Sequence, residues 1–198
     1  MVLDGILYGI GLIAGGIAAA YFTKPAFAAP FFLLAAFVMW FFRDPDRAIP
    51  GGNVAVSPAD GKVTLVRPEG AGSRVSVFLN VFDVHVNRSP IGGKVVDVKY
   101  QRGKFMNAMS PESSTENEMN TLVVEDNGVR VSFSQIAGLI ARRIICTKKP
   151  GDAVEKGERI GLIKFGSRVD IHFGPEWTVN VREGERVSAG SSILATKK

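Results

Sequence analysis

The sequence predicts a mainly β protein, a flattened β sandwich of the barrel-sandwich kind, behind an N-terminal hydrophobic helical hairpin. Three observations predict it. Residues 5–22 and 26–42 carry no charge at all. From Asn53 onward, short apolar runs such as Val75–Val86, Val95–Tyr100, Thr121–Val124 and Val129–Phe133 are separated by Gly, Pro, Asn or Asp, which is strand-and-turn texture. The C-terminal third holds a quasi-repeat, in which Lys149–Gly161 is echoed by Val181–Leu194. Each copy reads Gly, acid, one residue, Val, two residues, Gly, and this marks a tight turn, a short strand and another turn.

The two apolar runs come first in the chain, divided by Lys24-Pro25. As a helix rising about 1.5 Å per residue, each approaches the roughly 30 Å thickness of a bilayer's hydrocarbon. The first is rich in Gly and Ala, which suits close helix contact in lipid, and the second ends in Met39-Trp40-Phe41-Phe42, where Trp40 reads as an interfacial anchor. No basic segment precedes the first run, so a cleaved signal peptide is not expected. Residues 1–46 read as a membrane anchor and residues 47–198 as the catalytic β domain. Arg43 and Arg47 directly after the second run favour a cell-membrane location with the β domain on the cytoplasmic side.

Asp4 and Lys24 cancel, so the net charge of +5 falls on residues 43–198. A basic domain beside an anchor favours anionic membrane lipids, each cation near the surface contributing about 1 kcal/mol. Nucleic acid is not expected as a partner, because the cations are scattered and the one tight cluster, Arg142-Arg143 with Lys148-Lys149, lacks interleaved aromatics. The single cysteine, Cys146, excludes a disulfide framework and reads as a buried reduced thiol. Only Ser134–Ile145 offers a short helix within the β domain.

The two quasi-repeat copies predict a sandwich of paired halves, similar to the biotinyl/lipoyl carrier fold. Where a carrier presents a lysine at the tip between its halves, this chain reads Phe165-Gly166-Ser167. A serine hydroxyl that attacks the carbonyl before it converts an amide to an ester, and glycine leaves that carbonyl unshielded. Elimination from the ester leaves dehydroalanine and then a pyruvoyl group, a protein-made electrophile that forms a Schiff base with an amine. As a bare dipeptide, Gly-Ser is also an ordinary surface turn.

Four segments together decide between the two. Ser57–Val63 (SPADGKV), Phe82–Pro90 (FDVHVNRSP), Glu116–Asn120 (ENEMN) and Phe165-Gly166-Ser167 resemble the phosphatidylserine decarboxylases in their short bacterial and archaeal form, and Arg43-Asp44-Pro45 fits as well. The resemblance runs through nearly all of residues 40–198. It implies a proenzyme cut between Gly166 and Ser167 into a β chain (1–166) and an α chain (167–198), which stay together as a heterodimer and can form a higher oligomer. The cofactor is then a pyruvoyl made from Ser167, with no metal, and the substrate is phosphatidylserine, converted to phosphatidylethanolamine. An alternative substrate is another serine lipid such as archaetidylserine. From a different class, an uncleaved membrane-tethered β-sandwich adaptor or carrier also accounts for the anchor and the repeat.

The resemblance assigns Asp60, in a Pro-Ala-Asp-Gly turn, to support of self-processing, and His85 to decarboxylation. Imidazole, with a reference pKa of about 6.5, can donate a proton near neutral pH. Where the long forms carry the histidine of a processing triad, this chain has Arg88. Two options follow: His85 serves both steps, or Arg88 stabilises the oxyanion while water or Asp60 takes the proton. Arg88 and Arg168 are also candidates for holding the substrate's carboxylate or phosphate. His172, the other histidine, reads as structural.

Overall fold

The computed structural model describes residues 2–110, 112–139, 143–164 and 166–198. The chain divides into two compact units, Met1–Asp46 and Arg47–Lys198. The first holds α1 (Leu3–Phe22), a 3-10 turn at Pro25–Ala28 and α2 (Ala29–Phe41). Gly5, Gly9 and Gly16 form a stripe on α1 against Phe42, Met39 and the Phe31-Phe32 pair, so the absence of side chains lets the two helices close up. The opposite faces expose Leu7, Ile10, Ile17, Tyr21 and Leu33. By length and composition α1 is apolar enough to cross a membrane, and Pro25–Phe41 is a shorter apolar helical stretch.

The second unit is built from strands: β1 (Val54–Val56), β2 (Gly61–Glu69), β3 (Gly72–Leu79), β4 (Val86–Arg88), β5 (Gly93–Gln101), β6 (Met119–Asp126), β7 (Val129–Ile136), β8 (Ile144–Cys146), β9 (Ala153–Val154), β10 (Arg159–Ile163), β11 (Ser167–Phe173), β12 (Trp177–Val179), β13 (Arg186–Val187) and β14 (Ile193–Lys197). A single helical turn, α3 (Ser113–Glu116), interrupts them. One curled eight-stranded sheet runs β13-β2-β3-β11-β7-β6-β5-β9, and two three-stranded sheets run β1-β14-β12 and β4-β10-β8. Val63, Val75, Val77, Leu122, Phe133, Val169 and Ile171 of the large sheet join Ile160, Ile163, Leu194 and Ala195 of the small ones in one core. Burial of these branched side chains is the main stabilising term. The hairpin between β6 and β7 turns on Asn127-Gly128, both at positive φ (51° and 78°), as a two-residue loop matching strand twist requires.

The quasi-repeat is present, but its copies do not pair with each other. Each sends a two-residue strand, β9 or β13, to an opposite edge of the large sheet, and its next strand, β10 or β14, to the middle of a separate small sheet. The copies are thus related across the large sheet, because each needs an unpaired edge for its short strand and the other copy offers none. In place of the helix expected over Ser134–Ile145 stand the end of β7 and the start of β8, with residues 140–142 outside the described set. Its β-branched and aromatic neighbours favour strands, and Ser134 and Ile136 take up ladder positions against Asp170 and Arg168. Cys146 is half-buried rather than buried, its thiol 3.5 Å from the Lys148 carbonyl oxygen.

Candidate active site

Ser167 opens β11, the strand between β3 and β7 near the centre of the large sheet. Its register places it opposite Leu79, with Arg168 between Phe78 and Ile136, and Val169 between Val77 and Gln135. Successive side chains alternate between faces, so Ser167 shares the core face of Val169, Ile171 and Phe173. It is fully buried, and its Oγ has no hydrogen-bond partner among the described residues. A hydroxyl in such a place keeps its lone pairs uncommitted, which suits a nucleophile better than a structural serine.

The residue before it has the matching geometry. Gly166 sits at φ 53°, a left-handed conformation that costs a side-chain-bearing residue about 1 kcal/mol or more. Its carbonyl oxygen is packed against Gly138 so tightly that a Cβ added at Gly138 would overlap it. Two glycines therefore shape the scissile carbonyl, one by conformation and one by lending space. Glycine at 138 was not singled out from the sequence; the sign available was an isolated glycine ending a strand pattern. Gly138→Ala is expected to slow self-cleavage roughly tenfold or more, since overpacking costs about 1–3 kcal/mol and 1.4 kcal/mol is one decade in rate. A time course of chain cleavage on denaturing gels measures it.

His85 lies just before β4, which pairs with β10, and the Ile163 amide donates to the His85 carbonyl. The histidine is 2 % exposed. Its Nδ1 is 2.9 Å from the Asp83 carbonyl oxygen. A carbonyl only accepts, so Nδ1 carries the hydrogen and Nε2 holds the lone pair of the neutral ring. Asp83 anchors this loop, accepting the Asn80 amide at 2.9 Å through Oδ2 and pairing with Arg186 through Oδ1.

A buried amide chain ties β4 to the large sheet. Asn120 donates to Gln135 at 3.1 Å, Gln135 donates to Asn87 at 2.9 Å, and Asn87 reaches the Pro58 carbonyl at 3.5 Å. Asn87 thus points at Gln135, whose register partner is Val169, on the Ser167 face of the sheet. His85 lies two residues earlier, outside β4, where the Ile163 amide at the end of β10 meets its carbonyl, four residues before Ser167 in the chain. Gln135→Leu is expected to cost about 1–3 kcal/mol, the cost of stranding two buried amides, read as a lower urea midpoint.

Asp60 and Arg88 are each committed to other partners. The Asp60 carboxylate takes Arg47 Nη2 at 3.0 and 2.9 Å and the Ala189 amide at 2.7 Å. Gly61 follows it on β2, and Lys62 pairs with Phe78, so Asp60 is at the same sheet end as Ser167, two strand spacings or about 10 Å away. Arg88, 6 % exposed, donates to the Gly157 carbonyl at 3.0 Å, and its Cδ flanks Gly190. One guanidinium stem thus touches the turns of both quasi-repeat copies.

Arg168 is buried on the outer face of the sheet. Its Nε and Nη2 lie 2.9 and 3.2 Å from the Asp170 carboxylate, and Nη1 donates to the Ala108 carbonyl at 2.9 Å. These contacts tie the 102–118 segment to β11. Asn117 closes that segment, receiving the Met106 amide and donating to the carbonyls of Met106 and Ala137. His172 is on the same outer face, 3.4 Å from Glu69 and half exposed. No cluster of metal-ligating side chains occurs among the described residues.

The site thus holds a fully buried serine with an uncommitted hydroxyl, directly after a left-handed glycine, and a buried histidine held through Nδ1. The sequence profile of phosphatidylserine decarboxylase matches residues 34–195. The chain belongs to the phosphatidylserine decarboxylase family. The phosphatidylserine decarboxylase proenzyme of Solibacter usitatus is 59% identical over 197 residues, covering 100% of this chain and 97% of the relative. Those of Trichlorobacter lovleyi (46%, 96% of this chain and 91% of the relative) and Desulfotalea psychrophila (44%, 83% and 81%) are similar as well. The chain is accordingly an enzyme, a decarboxylase of phospholipid biosynthesis, and the mainly β fold with its apolar N-terminal helix is the form this family member takes. The apolar helix is compatible with membrane attachment.

Proposed function

We propose that this enzyme converts phosphatidylserine to phosphatidylethanolamine after cutting itself between Gly166 and Ser167. The observation that carries the reading is the buried, uncommitted Ser167 hydroxyl directly after a left-handed glycine whose carbonyl is clamped by Gly138. In the cut, Ser167 Oγ bonds to the Gly166 carbonyl carbon and the peptide C–N bond breaks. Loss of the Ser167 α-hydrogen then expels Gly166 as a carboxylate, and water replaces the nitrogen of the resulting dehydroalanine, releasing ammonia. The residues present fit the product, since Ser167 is walled by the core and no charged side chain shares its face of β11. A pyruvoyl at this position supplies the carbonyl that takes up the substrate amine and the electrons left when carbon dioxide departs.

His85 is assigned the proton transfers of the decarboxylation. Its Nδ1 is held by the Asp83 carbonyl, which fixes ring and tautomer. Asp60 is assigned to hold the Ala189 turn and Arg47 against the Ser167 end, and Arg88 to join the two repeat turns; both support processing through positioning. Arg168 holds the 102–118 segment over β11. The substrate's headgroup lies at the membrane to which the N-terminal helices anchor the β domain, on the cytoplasmic side favoured by Arg43 and Arg47.

The cut leaves the fragments interlocked. Residues 167–198 supply β11 between β3 and β7, β13 beside β2, and β14 between β1 and β12. The two chains are therefore expected to co-elute in native buffer and to part only in denaturant, as gel filtration with and without guanidinium checks. The function itself is tested by supplying phosphatidylserine to the purified protein and measuring carbon dioxide and phosphatidylethanolamine. Release of both supports the reading, and a cleaved protein that releases neither overturns it.

A further inference from the structure

The sheet end that carries Ser167 is the origin of three loops. The first follows β3 at Leu79, the second follows β7 at Ile136, and the third is the 102–118 segment that Arg168 draws in through Ala108. Gly138, Gly166 and Ala108 come together there. Each loop carries one large apolar side chain out into solvent: Phe82 is 66% exposed, Leu139 67% and Met109 59%. Residues of this kind are normally spared from loops around a buried site, and three at one end form a rim rather than scattered surface.

The rim is flanked by cations. Lys62 and Arg143 are exposed, the Lys164 amide bonds the Arg143 carbonyl, and the Arg186 side chain is 63% exposed while pairing with buried Asp83. On the third loop the exposed acids are Glu112 and Glu116, the latter paired with Lys104. Apolar tips ringed by lysine and arginine match a bilayer interface bearing anionic headgroups.

We propose that this end of the β domain is a membrane-docking surface in its own right. Phe82, Met109 and Leu139 enter the interface of an anionic bilayer and Lys62, Arg143, Lys164 and Arg186 engage its headgroups. The headgroup of a lipid still seated in the membrane is thereby presented to Ser167. The proposal rests on the lipid-decarboxylase reading and adds a second membrane contact to the N-terminal helices.

The full chain with Cys146→Ser is reconstituted into phosphatidylcholine–phosphatidylglycerol vesicles, carrying either Leu139→Cys or Val96→Cys labelled with an environment-sensitive fluorophore. Spin-labelled lipid tails are expected to quench the label at 139 at least threefold more than the label at 96, on β5. Equal quenching overturns the proposal. So does a label at 139 that responds to protein concentration and not to lipid, which would make this face an interface between copies. In parallel, Leu139→Asp is expected to complete self-cleavage and lose at least tenfold in kcat/KM on vesicle phosphatidylserine. On a short-chain phosphatidylserine below its micelle concentration it should stay within twofold of wild type. Equal loss on both substrates counts against docking. Failure of the cleaved wild type on both lipids would instead overturn the enzymatic reading.

Discussion

Ser167→Ala is expected to leave one uncut chain of 198 residues that releases no carbon dioxide from phosphatidylserine. The wild type should give masses for residues 1–166 and 167–198, the smaller lighter by one ammonia than a serine start requires. Both differences have the same origin. Alanine removes the atom that attacks the Gly166 carbonyl and, with it, the source of the reactive carbonyl. The substitution deletes one oxygen whose hydrogen bonds are absent among the described residues, so stability should be unchanged or slightly raised. Activity should fall to background. An intact wild-type chain would remove the self-processing reading and favour a tethered adaptor. A cleaved Ser167→Ala chain would show that the cut does not depend on this hydroxyl.

The second large effect is at His85. His85→Gln should lower decarboxylation about 10²–10⁴-fold, the range for loss of a general acid–base group. Glutamine keeps a polar side chain of similar length near the Asp83 carbonyl but cannot carry a proton back and forth. Self-cleavage is expected to proceed, because Ser167 and the Gly138–Gly166 contact are untouched. Cleaved but inactive protein would confine His85 to the lipid reaction. Arrest of cleavage would assign it both steps, the first of the two options that Arg88 leaves open. Adding Asp60→Asn to a His85→Gln chain that still cuts itself then asks whether Asp60 takes the serine proton.

The anchor, the β texture and the Gly-Ser junction were legible in the sequence because each is written in consecutive residues. Uncharged runs, alternating valines and a turn dipeptide need no knowledge of the rest of the chain. Ser167, His85 and Asp60 stand in three of the four short segments whose fixed order carries the family resemblance. Gly138 and the Asn120–Gln135–Asn87 chain were not legible. Each acts on a partner 15 to 48 residues away, and a single glycine or glutamine at a strand end carries no local sign of that partner. The Ser134–Ile145 helix failed for a related reason: ladder partners on β11 and β6 outweigh the local preference of a short segment.

By itself the sequence determined the chemistry available: a serine after a glycine, a histidine in a strand, a basic β domain behind two apolar helices. Only the tertiary structure decided how those groups meet. It buried both Ser167 and His85, and committed Arg88 to the Gly157 carbonyl beside Gly190. It also committed Arg168 to Asp170 and Ala108 on the outer face. The reason lies in the period of a strand: neighbours in sequence point to opposite faces, so which residue reaches the site depends on register, and register is set by strands far away in the chain.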